Sequence, residues 1–324
     1  MSPMRLATTN PSLLKAAVIG AGAFGRHHAA KYRAIDGVEL VAVADPSAAA
    51  RKAMADLHSV AVTANWRDLL GKVDLVTVAT PAVTHAEIVR AFLNAGANVM
   101  VEKPIATTLD EADGLIELSE KFGKVLTVDH QERFVFNRTG LLSYDEVPLE
   151  VSCWRMGPWS GRGADVSIVL DLMIHDLDLV HQLIPGLVRS VKANARIEKS
   201  SLPDEVEAVA MFENGAVARL TASRIAERKR GMRVVYADGV VEIDFLTRQV
   251  INTTPRPLKA LQMDDPLGES VSGFVRAVQT KTEPLVRARQ ARNALATALM
   301  IDEAAEKNTA VSMHQTGVAV PAAA

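Results

Sequence analysis

The apolar and polar positions of the chain follow two different patterns on either side of residue 130. Before it, short continuous apolar runs alternate with stretches of helical period. The runs are "KAAVIG", "VELVAVAD", "VDLVTVATP", "ANVMVEKP" and "KVLTVDH". Apolar strands that alternate with helices are typical of a parallel sheet covered on both faces. The pattern therefore predicts a doubly wound α/β domain over residues 13–130.

Beyond residue 130, strand-like segments follow one another without intervening helices. One long helix is predicted over residues 165–184, and five strand-like segments follow it. Two pairs of these segments are separated by Asn214-Gly215 and Asp238-Gly239, dipeptides that favour tight β-hairpins. Successive hairpins indicate a mostly antiparallel sheet, and so a domain of the α+β class.

The length of 324 residues suits two domains. Further helices are predicted near residues 268–280 and 285–306. The second domain is therefore predicted to span residues 131–312, with residues 1–12 and 313–324 as tails.

Composition excludes several classes of partner. The formal net charge is −2, so neither nucleic acid nor an anionic membrane is an expected partner. Cys153 is the only cysteine of the sequence, which excludes an intrachain disulfide and a cysteine-based zinc cluster. No metal is expected. The sequence has neither a membrane-spanning apolar run nor a secretory signal, so we expect a cytoplasmic protein.

A glycine-rich turn follows the first strand. The segment "GAGAFG" fits G-x-G-x-x-G, a motif whose backbone N–H groups bind a dinucleotide pyrophosphate at a helix N-terminus. The second strand ends in an acidic residue, placed where it would bind the adenosine ribose and repel a 2′-phosphate. NAD is therefore expected rather than NADP. The residues predicted to bind it here are Gly20, Gly22, Ala23, Phe24, Gly25 and Asp45.

Two more loops should lie at the carboxyl edge of the parallel sheet, where ligands bind in such folds. The third apolar run, "VDLVTVATP", leads into a loop that contains Thr80, Pro81 and His85. Alternatively, this loop is only a solvated connection between a strand and a helix. The segment "VEKP" brings Glu102 and Lys103 to the end of the next strand, although a surface lysine before a turn-forming proline is the ordinary interpretation.

Taken in order, these motifs resemble those of the Gfo/Idh/MocA oxidoreductases. The resemblance rests on "GAGAFG", "EKP", "DHQERF" and the pair Asp171 and His175, and it covers nearly the whole chain. It implies an N-terminal Rossmann domain, a C-terminal domain with a large open sheet, and dimers or tetramers formed through that sheet. It also implies oxidation or reduction of a sugar or polyol by a catalytic set of Lys103, Asp171 and His175. The family more often has glycine where this chain has Asp129.

The chemistry of these residue types agrees with that set. Oxidation of a secondary alcohol removes the hydroxyl proton while a hydride leaves the carbon. His175 has the pKa range of a general base, and Asp171 lies on the same helical face. Lys103 can stabilise the developing negative charge on the reacting oxygen. Lys103 and His175 both remain candidates for the proton acceptor, and we favour His175.

Neighbouring polar residues have more than one possible role. Asp178 could orient His175, whereas a salt bridge or a helix cap is predicted for Asp176. His130 is expected near the nicotinamide. Arg133 either binds a substrate anion or forms a structural salt bridge.

Within the family, the segments "WRMGPWSGRGADVSIVLDLMIHDLDLV" and "FENGAVARLTASRIAERKRGMRVV" look like those of bacterial UDP-N-acetylglucosamine 3-dehydrogenases. That similarity implies oxidation of carbon 3 of the nucleotide sugar in the lipid A precursor pathway. Arg155 and Arg162 could bind its diphosphate, or they could be surface residues. Two alternatives stay open: an inositol, free-hexose or other polyol dehydrogenase, and a non-catalytic NAD-binding regulator.

Overall fold

The computed structural model describes residues 13–161, 166–262 and 264–311. They divide into two compact units. The first unit contains residues 13–102, 113–129 and 267–284, and the second contains the rest of the described chain. Both units differ from the predicted domains, because residues 103–112 belong to the second unit and residues 267–284 to the first.

The first unit holds a six-stranded parallel sheet in the order β3-β2-β1-β4-β5-β6. This confirms the doubly wound α/β class. Its central strands are buried on both faces, which is why they read as continuous apolar runs. The strands are β1 (Leu14–Ile19), β2 (Val38–Ala44), β3 (Ala61–Thr63), β4 (Leu75–Val78), β5 (Asn98–Val101) and β6 (Leu126–Val128).

Helices connect these strands along the chain. They are α1 (Ala23–Arg33), α2 (Ala48–His58), α3 (His85–Asn94) and α4 (Leu109–Lys121), with short 3₁₀ turns at Trp66–Leu69 and Ala82–Thr84. A further helix comes from much later in the sequence. Val271, Phe274 and Val275 of this helix belong to the same apolar core as the strands of the first sheet.

The second unit holds an eight-stranded, mostly antiparallel sheet in the order β13-β12-β11-β7-β10-β9-β8-β14. Only the pairs β7–β10 and β8–β14 are parallel. Buried and exposed residues alternate along β9 and β10, as expected where one face of a sheet is covered. The strands are β7 (Glu150–Met156), β8 (Val188–Ile197), β9 (Glu205–Phe212), β10 (Val217–Ser223), β11 (Lys229–Tyr236), β12 (Gly239–Asp244), β13 (Val250–Asn252) and β14 (Thr309–Val311).

The remaining helical segments include the long helix predicted over residues 165–184, which begins later than predicted; residue 165 itself lies outside the described residues. The helix begins with a π-helical turn over Val169–Met173 and continues as an α-helix. Such turns occur frequently at functional sites. The α-helices are α5 (Glu132–Thr139), α6 (Ile174–Leu183), α7 (Pro266–Thr280) and α8 (Ala288–Glu306), and Leu141–Ser143 forms a 3₁₀ turn.

Both predicted hairpins are present. Gly215 has a φ of +87°, and the side chain of Asn214 accepts a hydrogen bond from the Ala216 N–H, so this turn forms where it was expected. In the second hairpin Tyr236 pairs with Gly239, so the turn lies one residue earlier than Asp238-Gly239. Within the described residues, no helix is both long and apolar enough to span a membrane.

Candidate active site

The glycine-rich turn of the first unit is shaped by steric necessity. Gly20 has a φ of +97°, and a Cβ atom there would lie 2.2 Å from the carbonyl oxygen of Ala79. A Cβ atom on Gly25 would lie 1.9 Å from the carbonyl oxygen of Gly20. Only glycine can occupy these two positions, because any larger residue would displace backbone.

Gly22 has a different role. It is the N-cap residue of α1, and it supplies no side-chain hydrogen bond to the first N–H groups of that helix. A Cβ atom at Gly22 would meet nothing within 4 Å, so the space in front of the helix is open. Uncapped N–H groups facing open space fit a pyrophosphate. Ala23 and Phe24 begin the helix with exposed side chains.

A cavity of about 470 Å³ extends from this turn. Asp45 lies on its wall, where its carboxylate accepts hydrogen bonds from the N–H groups of Ala21, at 2.7 Å, and Ser47, at 2.8 Å. The cavity includes five of the predicted cofactor residues, which are Gly20, Gly22, Asp45, Thr80 and Pro81. Their donor set and shape fit the adenosine and pyrophosphate parts of NAD.

Arg51, the nearest cation to Asp45 in sequence, does not make the cavity more suitable for NADP. Its guanidinium donates to the backbone carbonyl oxygens of Asp45 and Pro46, at 2.8 and 2.9 Å. The carboxylate of Asp45 on the cavity wall would repel the 2′-phosphate of NADP.

Two other predicted cofactor residues of the first unit lie away from the cavity wall. His85 is buried, with its Nε2 atom 2.9 Å from the carbonyl oxygen of Thr80, so it supports the loop from behind. Glu102 follows β5 and pairs with buried His28.

In the second unit, Lys103 and Asp171 are in direct contact. The Lys103 ammonium donates to the backbone carbonyl oxygen of Asp171 at 2.6 Å and to its carboxylate at 3.1 Å. Asp171 lies in the π-helical turn that precedes α6. Two of the three ammonium protons are thereby used, and one remains for a substrate oxygen.

His175 pairs with a residue whose role the sequence did not predict. Its Nδ1 atom lies 2.9 Å from the carboxylate of Glu132, near the start of α5. The other oxygen of that carboxylate accepts hydrogen bonds from Arg155, at 3.3 Å, and Arg230, at 2.8 Å. Glu132 stands inside the "DHQERF" motif and could have been suspected there, whereas no local signal distinguished Arg230.

Burial and the neighbouring charges together set the pKa of His175. Burial lowers its pKa most, and Lys103 and Arg155 lower it further, so that the pKa stays below its usual value of 6.5 despite the carboxylate of Glu132. Burial opposes ionisation of Glu132, but His175, Arg155 and Arg230 outweigh it and hold the pKa of Glu132 well below its usual range. A carboxylate can only accept, so the neutral imidazole carries its proton on Nδ1 and leaves Nε2 as an acceptor.

Asp178 does not orient His175. It forms a two-pronged ion pair with Arg133, with both distances at 2.6 Å. Arg133 is only 2% exposed and also donates to Gln290, so its donors are used inside the unit and the structural salt bridge is the correct alternative. The alternative role of Arg133, binding of a substrate anion, conflicts with these contacts.

Arg155 is likewise engaged. It lies on β7, and its guanidinium donates to both carboxylate oxygens of Asp176, at 3.1 and 2.8 Å. The predicted salt bridge of Asp176 is therefore confirmed. A diphosphate role for Arg155 conflicts with this pairing, and Arg162 lies outside the described residues.

His130 is buried beside the catalytic candidates. Its ring meets that of His175 edge-on, with the ring centroids 6.3 Å apart. Burial lowers the pKa of His130 most, and with the charge of Arg133 it outweighs the carboxylate of Asp178, so the pKa falls to about 4 and the ring is neutral at physiological pH.

Known proteins share this architecture. A model of an oxidoreductase family with an NAD-binding Rossmann fold matches residues 14–130, and one of the GFO/IDH/MocA C-terminal domain matches residues 120–242. UDP-N-acetylglucosamine 3-dehydrogenase from Acidithiobacillus ferrooxidans is 31% identical over 315 residues, which cover 90% of this chain and 97% of that protein.

A solved structure of UDP-N-acetylglucosamine 3-dehydrogenase from the same organism has a TM-score of 0.85 and 30% identity, covering 91% of this chain and 98% of its own. Inositol 2-dehydrogenase from Rhodococcus erythropolis is 30% identical over 213 residues, 62% of each chain. With a relative similar over nearly the whole chain and both domain models matching in order, this chain belongs to the Gfo/Idh/MocA family and is an NAD-dependent oxidoreductase that acts on CH–OH groups.

Proposed function

We propose that the chain oxidises the carbon 3 hydroxyl of UDP-N-acetylglucosamine with NAD⁺, giving the 3-keto nucleotide sugar, NADH and a proton. The relative with that activity supports this choice, since it is similar along nearly its full length. The observation that carries the chemistry is the pair of contacts Lys103–Asp171 and His175–Glu132 within one unit.

In the proposed reaction His175 accepts the hydroxyl proton on Nε2, while Glu132 holds the opposite nitrogen and stabilises the imidazolium that forms. Lys103 donates a hydrogen bond to the reacting oxygen and stabilises its negative charge, and Asp171 holds the ammonium in place. NAD⁺ supplies the acceptor for the hydride that leaves carbon 3. The glycine turn and Asp45 would hold it.

The cations of the described site are already balanced by carboxylates. A diphosphate would therefore have to be bound by other groups, and Arg162 is the candidate that the sequence offers. The paired cations are Lys103, Arg155 and Arg230, and the carboxylates that they contact are Asp171, Asp176 and Glu132.

The test is turnover of purified protein with NAD⁺ and matched substrates, followed by NADH absorbance. The panel contains UDP-N-acetylglucosamine, UDP-glucose, free N-acetylglucosamine and myo-inositol. We expect NADH with the first and a 3-keto product by NMR. Turnover with inositol or a free sugar, and none with the UDP-sugars, would assign the site to the alternative class of polyol dehydrogenase.

A second comparison tests Arg162 within the same assay. An Arg162→Met variant should raise KM for the UDP-sugar by about tenfold or more, the value of one charge-assisted contact, while NAD⁺ affinity stays unchanged. Unaltered KM would remove Arg162 from the substrate site.

We further propose that the protein acts in the cytoplasm as a homodimer or homotetramer. The open sheet of the second unit has one face lined by exposed and half-buried side chains, including those of Met211, Arg219 and Arg233, and a second copy would cover it. Light scattering measures the subunit number, and a monomer at micromolar concentration would contradict the proposal.

A further inference from the structure

A second cluster of ionisable side chains lies buried in the first unit, apart from the cavity wall. His28 of α1 places its Nε2 atom 2.9 Å from the carboxylate of Glu102 and 3.5 Å from that of Asp129. Glu102 follows β5 and Asp129 follows β6, and all three side chains are buried. Ser270 of α7 donates to the other oxygen of Asp129 at 2.6 Å.

His28 lies between two carboxyl groups, an arrangement that favours the protonated imidazole. Burial, the largest single influence, lowers the pKa of His28, but the hydrogen bond to Glu102 and the charges of Asp129 and Glu102 outweigh it and raise the pKa. A protonated His28 between two ionised carboxyl groups would give the cluster a net charge of −1.

The same side chains could ligate a metal ion, since their ligand atoms lie within 4.8 Å of one another. The 2.9 Å separation of Nε2 and Oε1 is that of a hydrogen bond, however. Two ligands on a tetrahedral ion would lie about 3.4 Å apart, given bonds near 2.1 Å. The distance between His28 and Glu102 therefore fits a hydrogen bond between these two side chains better than two ligands on one metal ion.

The cluster lies on the side of the sheet where the nicotinamide half of the cofactor is expected. Asp45 ends β2 and marks the adenosine side of the sheet. In a doubly wound sheet of this strand order the dinucleotide crosses the switch point between β1 and β4, so its nicotinamide half lies toward β5 and β6. Glu102 and Asp129 stand at the carboxyl ends of those two strands.

We propose that Asp129, with Glu102 and His28, sets the preference of this enzyme for the oxidised over the reduced cofactor. The nicotinamide ring of NAD⁺ carries a positive charge and that of NADH does not. A buried net negative charge on the nicotinamide side stabilises the oxidised ring and has little effect on the reduced one. The cluster thereby favours binding of NAD⁺ and release of NADH.

The experiment measures the dissociation constants of NAD⁺ and NADH by calorimetry without sugar, so its outcome does not depend on which hydroxyl is oxidised. Asp129→Asn removes one negative charge and keeps an oxygen that can accept from Ser270. The variant should bind NAD⁺ about five- to tenfold more weakly, the effect of roughly 1–1.4 kcal/mol, with NADH affinity within about twofold of wild type.

Ser270→Ala is the matched control, since it removes a hydrogen bond from the same carboxylate without changing the charge. It should leave the ratio of the two dissociation constants unchanged. Equal weakening of both cofactors by Asp129→Asn would indicate a merely structural role and overturn the proposal, as would an unchanged ratio. If Asp129→Asn does not fold, Glu102→Gln makes the same change of charge and is judged by the same ratio.

Discussion

Two histidines of this chain contact a carboxylate at the same distance and have opposite pKa shifts. His28 lies 2.9 Å from Glu102 in the first unit, and His175 lies 2.9 Å from Glu132 in the second. Burial is the largest influence on both and lowers both pKa values. Nevertheless, the pKa of His28 is raised and that of His175 is lowered.

The rest of each environment explains the difference. His28 has a second carboxylate, Asp129, beside it, whereas His175 has Lys103 and Arg155 nearby and shares its carboxylate with two guanidinium groups. The carboxylate partner of a histidine therefore does not by itself fix the direction of its pKa shift, because burial and all the surrounding charges contribute. These surroundings favour the charged form of His28 and the neutral form of His175.

Removal of the neutral base should have the largest effect. His175→Ala deletes the proposed proton acceptor, and turnover should fall about 10⁴-fold, the upper range for general base catalysis. Steady-state NADH formation measures it, with NAD⁺ affinity as the control, which should stay within about twofold of wild type because the cofactor cavity is untouched. Full turnover in the variant would exclude His175 as the base.

Removal of the His28 side chain should instead affect the stability of the fold. His28→Ala leaves two buried carboxylates without their cation, which should reduce the free energy of unfolding by about 3–5 kcal/mol at neutral pH. Urea unfolding measures this. The control is Tyr32→Phe, which removes the 2.8 Å contact to Thr77 from the same helix at a cost of about 1 kcal/mol. Equal losses in both variants would argue against a charged His28.

Replacement of Glu132 should lower the pKa of His175 further and so widen its difference from the pKa of His28. Wild-type kcat/KM should fall as pH decreases through the lowered pKa of His175, so its acid limb lies below pH 6.5. Glu132→Gln removes the group that raises this pKa, and the limb should move to still lower pH. Because the imidazolium also loses its stabilising carboxylate, kcat should fall about 100-fold.

A pH–rate profile of kcat/KM for both proteins measures this shift. Glu150→Gln is the control, since that carboxylate pairs with Arg219 on the same sheet and is away from His175. A limb that moved upward in Glu132→Gln would contradict the assigned role of the carboxylate.

Local patterns were sufficient for much of the fold. Continuous apolar runs predicted five strands of the parallel sheet, and Asn214-Gly215 predicted a hairpin, because both signals are set by neighbours in sequence. Strand β7 was missed: its residues 150–156 mix Val151 and Cys153, which are buried, with Trp154 and Arg155. Only pairing with β10 and β11 makes this segment a central strand.

The sequence by itself determined the glycine turn, Asp45 and the candidates Lys103, Asp171 and His175, since motif order and helical spacing are readable along the chain. The tertiary structure decided how the charges pair. Arg133 and Arg155 looked available for substrate until Asp178 and Asp176 were found to hold them.

His28 meets Glu102 across 74 residues, and Lys103 meets Asp171 across 68. Ionisation depends on every charge and on the water excluded within a few ångströms, and only the folded chain sets those distances.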